Sequence, residues 1–187
     1  MLSGPVLDRL IAAVDSCPYG TSAGRTHRHR VARPLYTPEE RQRRDRTPWT
    51  LVQGVLAPVQ FLVFLVSLGL VLNYLASGQG LFVAEMSVVV KTLVLYAIMI
   101  TGCIWEHEVF GKYLFAPSFF WEDVFSMLVL ALHTGYLGAL AFGWGDTHFQ
   151  MWLALAAYAA YVINAAQFVF KLRAARLQAA ALGEGRA

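Results

Sequence analysis

Charge is the scarcest ingredient of this sequence. Asp, Glu, Lys and Arg make up 14% of its 187 residues, against 57% hydrophobic, and a soluble domain of this length needs far more charge to cover its surface. Cysteine is almost missing. Cys17 and Cys103 are the only two, and they form no CxxC, metal-ligand spacing or disulfide framework. A Gly-rich phosphate loop, a GxSxG elbow and an HExxH pair are all absent, so nucleotide-driven transport has no support. No internal repeat is visible. The net charge of +3 comes with no recognition motif, which argues against a nucleic-acid partner.

What the chain has instead is long apolar runs. Leu51 to Ala76, Phe82 to Trp105, Phe119 to Phe142 and Phe149 to Phe170 each span about 22 to 26 residues, and roughly 20 suffice to cross a bilayer as a helix. The prediction is an all-α polytopic membrane protein, with four transmembrane helices in one bundle and the lipid bilayer as its surroundings. The first run follows a long polar leader, lacks a small-residue cleavage site and exceeds the core of a signal peptide, so it reads as a retained span.

The basic residues set the expected orientation. Nine arginines precede the first span, Lys171, Arg173, Arg176 and Arg186 follow the fourth, and Lys112 lies between spans two and three. The loops at Ser77 to Gly80 and Trp144 to His148 hold neither Lys nor Arg. The positive-inside rule then places both termini and the Glu106 to Asp123 loop in the cytoplasm.

The polar leader divides in two. Residues 1–34 read as a disordered basic segment. Thr37-Pro38-Glu39-Glu40 is a capping box with proline at the first helical position, opening a short cytoplasmic surface helix within residues 35–48. Thr47-Pro48-Trp49 restarts a helix, with Trp49 at headgroup depth. The four-helix domain covers residues 49–171, and residues 172–187 form a basic cytoplasmic tail.

Polar residues inside the spans are few. His133, near the middle of span three, is either a neutral histidine bonded to a neighbouring helix or a ligand to a metal or pigment centre or a proton carrier. A transmembrane haem held by two histidines needs a second one at similar depth, and His107 and His148 lie at span ends, which argues against a b-type cytochrome. Lys91 is expected to snorkel to the far headgroups. Gln53, Gln60, Asn73, Asn164 and Gln167 are candidates for hydrogen bonds between helices. Pro58 is expected to kink span one.

The densest chemistry lies between spans two and three, where Trp105-Glu106-His107-Glu108 and Trp121-Glu122-Asp123 set four carboxylates at a membrane boundary. Charge is costly there and calls for an explanation. Glu122 and Asp123 fall in the first turn of span three, behind an expected Ser118 cap, where the helix dipole favours an anion. Glu106 and Glu108 end span two, where the dipole opposes one and aromatic neighbours desolvate it. Carboxyls of opposite tendency meeting through a short loop suit general acid catalysis beside a charge-stabilising carboxylate. A solvated loop in which Lys112, His107 and nearby arginines pair the acids is the structural alternative. Glu122, Ser126 and His133 share one helix face, yet Glu122 and His133 are about 16 Å apart along the axis. A large flat amphiphile could meet both, packed by Phe119, Phe120, Trp121 and Tyr113.

Leu35-Tyr36-Thr37-Pro38-Glu39-Glu40-Arg41 and the run from Trp49 to Pro58 resemble the opening of the 2-vinyl bacteriochlorophyllide hydratase family. Thr101-Gly102, Ile104-Trp105-Glu106, Val109-Phe110-Gly111, Leu114-Phe115-Ala116, the segment Phe119 to Met127 and Leu132-His133-Thr134 are similar to it as well, so the resemblance covers about Leu35 to Phe170.

The resemblance implies a hydro-lyase of bacteriochlorophyll synthesis in an inner or intracytoplasmic bacterial membrane. It would add water to the 3-vinyl group of chlorophyllide a or a related magnesium chlorin to give a 3-(1-hydroxyethyl) group, beside other enzymes of that synthesis. Such chemistry needs an acid, stabilisation of positive charge and a placed water, and calls for no redox cofactor or ATP. On that reading Glu106 or Glu108 is the acid, and Glu122 and Asp123 stabilise the cation and orient water, aided by the faces of Trp105 and Trp121. Ser126 faces the substrate, and Lys112 or Arg46 holds its propionate. No metal of the protein's own is expected, with His133 a candidate ligand to the substrate's magnesium. A non-catalytic pigment-binding or assembly protein would also want aromatic walls and such a histidine, but has little use for dipole-opposed acids.

Overall fold

The computed structural model describes residues 35–184, with side chains as far as 177. The leader of residues 1–34 lies outside the described part. Five helices follow in order: α1 (Pro38–Arg46), α2 (Pro48–Ser77), α3 (Leu81–Phe110), α4 (Phe120–Phe142) and α5 (Thr147–Glu184). No strand occurs among the described residues. The last four helices are long and apolar enough to cross a membrane.

Local chemistry accounts for where the helices start and stop. Thr37 Oγ1 accepts from the Glu40 amide (3.2 Å) and Glu40 Oε2 accepts from the Thr37 amide (2.8 Å), closing the capping box that opens α1. Thr47 caps α2 through the Trp49 amide, and Pro48 occupies its first turn. Gly111 ends α3 at φ 75°, a conformation that favours glycine. Ser118 does not cap α4: the cap position is Phe119, without a side-chain bond, because the Ser118 hydroxyl is turned to the Leu35 carbonyl (3.0 Å). At 30 residues, α3 spans about 45 Å, longer than the ~30 Å hydrocarbon layer. The helix therefore carries Glu106 and Glu108 beyond the apolar run that ends at Trp105. α5 likewise continues to Glu184, so the stretch read from the sequence as a tail after Lys171 is helical.

The bundle is two antiparallel hairpins laid together. Across α2 and α3, Trp105 Nε1 donates to Thr50 Oγ1 (2.9 Å), Gln53 Nε2 donates to Thr101 Oγ1 (2.7 Å), and the Ser67 and Ser87 hydroxyls meet at 2.6 Å. Across α4 and α5, Lys171 Nζ bonds Glu122 (2.5 Å), Asn164 Nδ2 donates to Ser126 Oγ (2.9 Å), and Gln150 Nε2 donates to the Ala139 carbonyl (3.2 Å). Gln53 and Asn164 are the inter-helix bonds expected of them. Between hairpins, Tyr158 bonds Ser67 (2.5 Å) and stacks edge-on to Phe64, while Tyr96 bonds Thr134 (2.8 Å). The core of Phe64, Val71, Val88, Val129, Tyr136, Met151 and Tyr158 fills the middle.

Lys91 departs from expectation. Its side chain does not reach the headgroups but is wholly buried, with Nζ 3.7 Å from the centre of the Tyr161 ring. The ring face supplies the attraction that water would otherwise give.

Candidate acid site at the loop between α3 and α4

The chain turns from α3 to α4 through residues 111–119, and this turn organises the acids. Phe115 takes a left-handed backbone conformation at φ 59°, which is rare for a bulky residue and held only where the surroundings demand it. Its amide donates to Asp123 Oδ2 (2.8 Å), and the next amide, of Ala116, donates to Glu106 Oε1 (2.6 Å). Two successive backbone donors thus clasp one carboxyl from each helix, the geometry of an anion-binding nest. Both carboxyls are buried, and the amides that hold them belong to adjacent residues, which makes the two carboxyls neighbours.

The other two acids go elsewhere. Glu108 is exposed and accepts from the Thr47 hydroxyl at the α1–α2 junction. It lies two residues from Glu106 and so about 200° around α3, which is why only one of them meets Asp123. Glu122 is buried against α5 in its ion pair with Lys171. Lys112 is exposed and makes no ion pair among the described residues. Among the described residues neither Lys112 nor His107 makes an ion pair with the acids: His107 stacks on Tyr113 at 4.2 Å.

Aromatic side chains border this site on two sides. Inside, Tyr36 stacks on Phe110 (5.8 Å), and Phe119 packs on Trp105 (5.8 Å) and Phe168 (6.0 Å). Arg44 lies 4.8 Å above the Tyr36 ring, so the segment before α1 is tied to the same cluster. Outside, Phe115, Phe120, Trp121 and Tyr113 are exposed, with Phe120 5.7 Å from Phe115 and 5.5 Å from Trp121. Such a contiguous exposed aromatic surface marks a place for a lipid or a flat ligand.

Ser126 and His133 continue down the buried face of α4, as their spacing predicts. Ser126 accepts from Asn164, and His133 Nδ1 bonds the Val129 carbonyl (2.8 Å). A carbonyl only accepts, so Nδ1 carries the proton and a neutral ring has its lone pair at Nε2. His133 is fully buried, so a macrocycle reaches it only if helices part.

A family model for 2-vinyl bacteriochlorophyllide hydratase matches residues 36–174. The chain belongs to that family. It is 64% identical over 151 residues to the 2-vinyl bacteriochlorophyllide hydratase of Rhodobacter capsulatus, covering 81% of this chain and 88% of the relative. With the 2-vinyl bacteriochlorophyllide hydratase of Cereibacter sphaeroides it shares 66% identity over 146 residues, 78% of this chain and 90% of the relative. No solved structure matches. The region matched by the hydratase family contains the whole acid site, from Tyr36 to Lys171.

Sequence reasoning missed three parts of this site. The amides of Phe115 and Ala116 leave no trace in side-chain identity. Lys171 was legible in principle, since it follows Asn164 by seven residues and so shares its helix face. The burial of Lys91 depends on Tyr161, seventy residues away, and had no local signal.

Proposed function

We propose that this hydratase adds water to the 3-vinyl group of chlorophyllide a or a closely related magnesium chlorin, with Glu106 as the general acid and Asp123 as its partner. The observation that supports this is the pair itself: two buried carboxyls, one from each helix, each fixed by a backbone amide of the same turn. Two carboxyls in contact hold one proton between them, because two anions so close repel strongly. That proton is the one the reaction needs.

The steps balance within the pair. Glu106 gives its proton to the terminal vinyl carbon as the π electrons form the new C–H bond, leaving a cation at the inner carbon that is conjugated with the macrocycle. The Asp123 carboxylate and the faces of Trp105 and Trp121 stabilise this charge. Water forms the C–O bond at the inner carbon, and its released proton goes to Asp123. Sharing that proton with Glu106 returns the pair to its starting state.

The exposed shelf of Phe115, Phe120 and Trp121 receives the flat face of the pigment from the lipid, and Lys112 or Arg46, both exposed, holds the propionate. Glu122, already paired with Lys171, sets the electrostatic background and does not transfer a proton. The basic residues on the two ends support a site at the cytoplasmic face of an inner or intracytoplasmic membrane, where other enzymes of bacteriochlorophyll synthesis would exchange pigment with it.

The test is incubation of the purified protein with chlorophyllide in oxygen-labelled water. A product heavier by one labelled water supports the reading. Pigment that binds and is never converted would point instead to a carrier or assembly role.

A further inference from the structure

Many polar groups of the bundle are paired, among them Gln53, Ser87, Ser126 and Gln150 within the hairpins and Ser67 with Tyr158 between them. Among the described residues some buried side-chain atoms are not: Asn164 Oδ1 and Gln167 Oε1 on α5, and atoms of four side chains from three helices at the seam between the hairpins. Gln60 on α2, Lys91 on α3, and His133 and Tyr136 on α4 are at most 1% exposed, yet Lys91 Nζ, His133 Nε2, the Tyr136 hydroxyl and both Gln60 amide atoms lack a hydrogen-bond partner. Unpaired buried polar atoms are expensive in a membrane interior, and an intramembrane ionisable residue signals function.

These groups converge on the seam between the hairpins. Lys91 reaches across from α3 to the Tyr161 ring on α5, and His133 on α4 lies 5.9 Å from the ring of Tyr158, one turn away on α5. Gln60 is one turn from Phe64, which packs on Tyr158 and Tyr161. α3 and α4 face each other along one side of this seam. It is closed on the outside by the Tyr96–Thr134 bond and ends at Glu106 and Asp123. His133 is ten residues along α4 from Asp123, about 15 Å at 1.5 Å per residue. That distance is comparable with the breadth of a chlorin macrocycle.

We propose that the pigment enters the α3–α4 seam with its vinyl edge at the acid pair, and that Lys91 Nζ donates a hydrogen bond to the ring carbonyl on the opposite edge. This rests on the reading that Glu106 and Asp123 meet the vinyl group. A carbonyl requires a donor. His133 Nε2 is an acceptor while Nδ1 serves Val129; of the remaining unpaired donors, Gln60 Nε2, the Tyr136 hydroxyl and Lys91 Nζ, Lys91 has the longest side chain and only an aromatic face against its N–H bonds. Such a bond orients a nearly symmetric disc, presenting one edge to the acids and turning the others away.

The test is a cycle of two pigments and two proteins. Wild type and Lys91→Met are assayed with chlorophyllide and with the analogue whose ring carbonyl is reduced to a methylene. Loss of a buried hydrogen bond that leaves its partner unpaired is worth about tenfold or more. KM for chlorophyllide is expected to rise by that factor in Lys91→Met, with kcat changing far less. Wild type should show a similar rise with the reduced pigment, and the variant no further one. Equal penalties from Lys91→Met with both pigments would overturn the proposal. If Lys91→Met does not insert, Lys91→Arg keeps a donor and must still discriminate between the pigments; loss of discrimination there contradicts the assignment. Pigment affinity titrated by absorbance reads the same cycle without turnover. A wild-type protein that binds both pigments but hydrates neither therefore sinks the hydration reading, while the affinities still decide on Lys91.

Discussion

Among single residues, position around a helix decides more than identity. Four carboxylates at a membrane boundary were evident in the sequence, and so was their division between a helix end and a helix start. Which two would meet was not, because that depends on the phase of α3 relative to α4 and on a turn whose binding groups are backbone amides. The Glu122–Lys171 pair gives a test separate from catalysis. Lys171→Met leaves a buried carboxylate without its cation. The expected cost is about 1 to 2 kcal/mol, less than for a fully buried pair because Lys171 keeps a quarter of its side chain exposed. The double variant Glu122→Gln, Lys171→Met should recover most of it in thermal unfolding in detergent. If the double variant is no more stable than Lys171→Met, the bridge is not what holds this end of α4 to α5.

Helices were the most legible elements. Apolar length marked all four spans, and Thr37-Pro38-Glu39-Glu40 marked the start of α1, because capping is local and written in adjacent residues. Ser118 shows where local reading ends: its hydroxyl is taken by Leu35, 83 residues away in sequence. Thr37→Ala should destabilise α1 by about 1 kcal/mol, seen as faster exchange of the α1 amides with little change elsewhere. Unchanged exchange would mean that packing against α3, and not the cap, sets the stability of α1. Lys91 failed for a related reason. Snorkelling is the default for a lone lysine two turns into a span, and only the fold brings the Tyr161 ring of α5 within reach of Lys91 as the alternative.

In the molecule as a whole, two hairpins meet along a seam that holds buried polar side chains and has an acid pair at one end. On the proposed orientation, which the asymmetry of Lys and Arg supports, that end faces the cytoplasm. Reporter fusions after Gly80 and Asp146 are expected to score external, and those after Gly111 and Arg176 internal. An external carboxyl terminus would put the acid pair on the wrong face. The most direct measurement of the central claim is the rate of 3-(1-hydroxyethyl) product formation by Glu106→Gln and Glu108→Gln, with expression and pigment affinity measured for each. Glu106→Gln should lose roughly two to four orders of magnitude in turnover while still binding pigment, and Glu108→Gln, bonded to Thr47 and away from the pair, should stay near wild type. Near-normal turnover in Glu106→Gln, or an equal loss in both, would contradict the account.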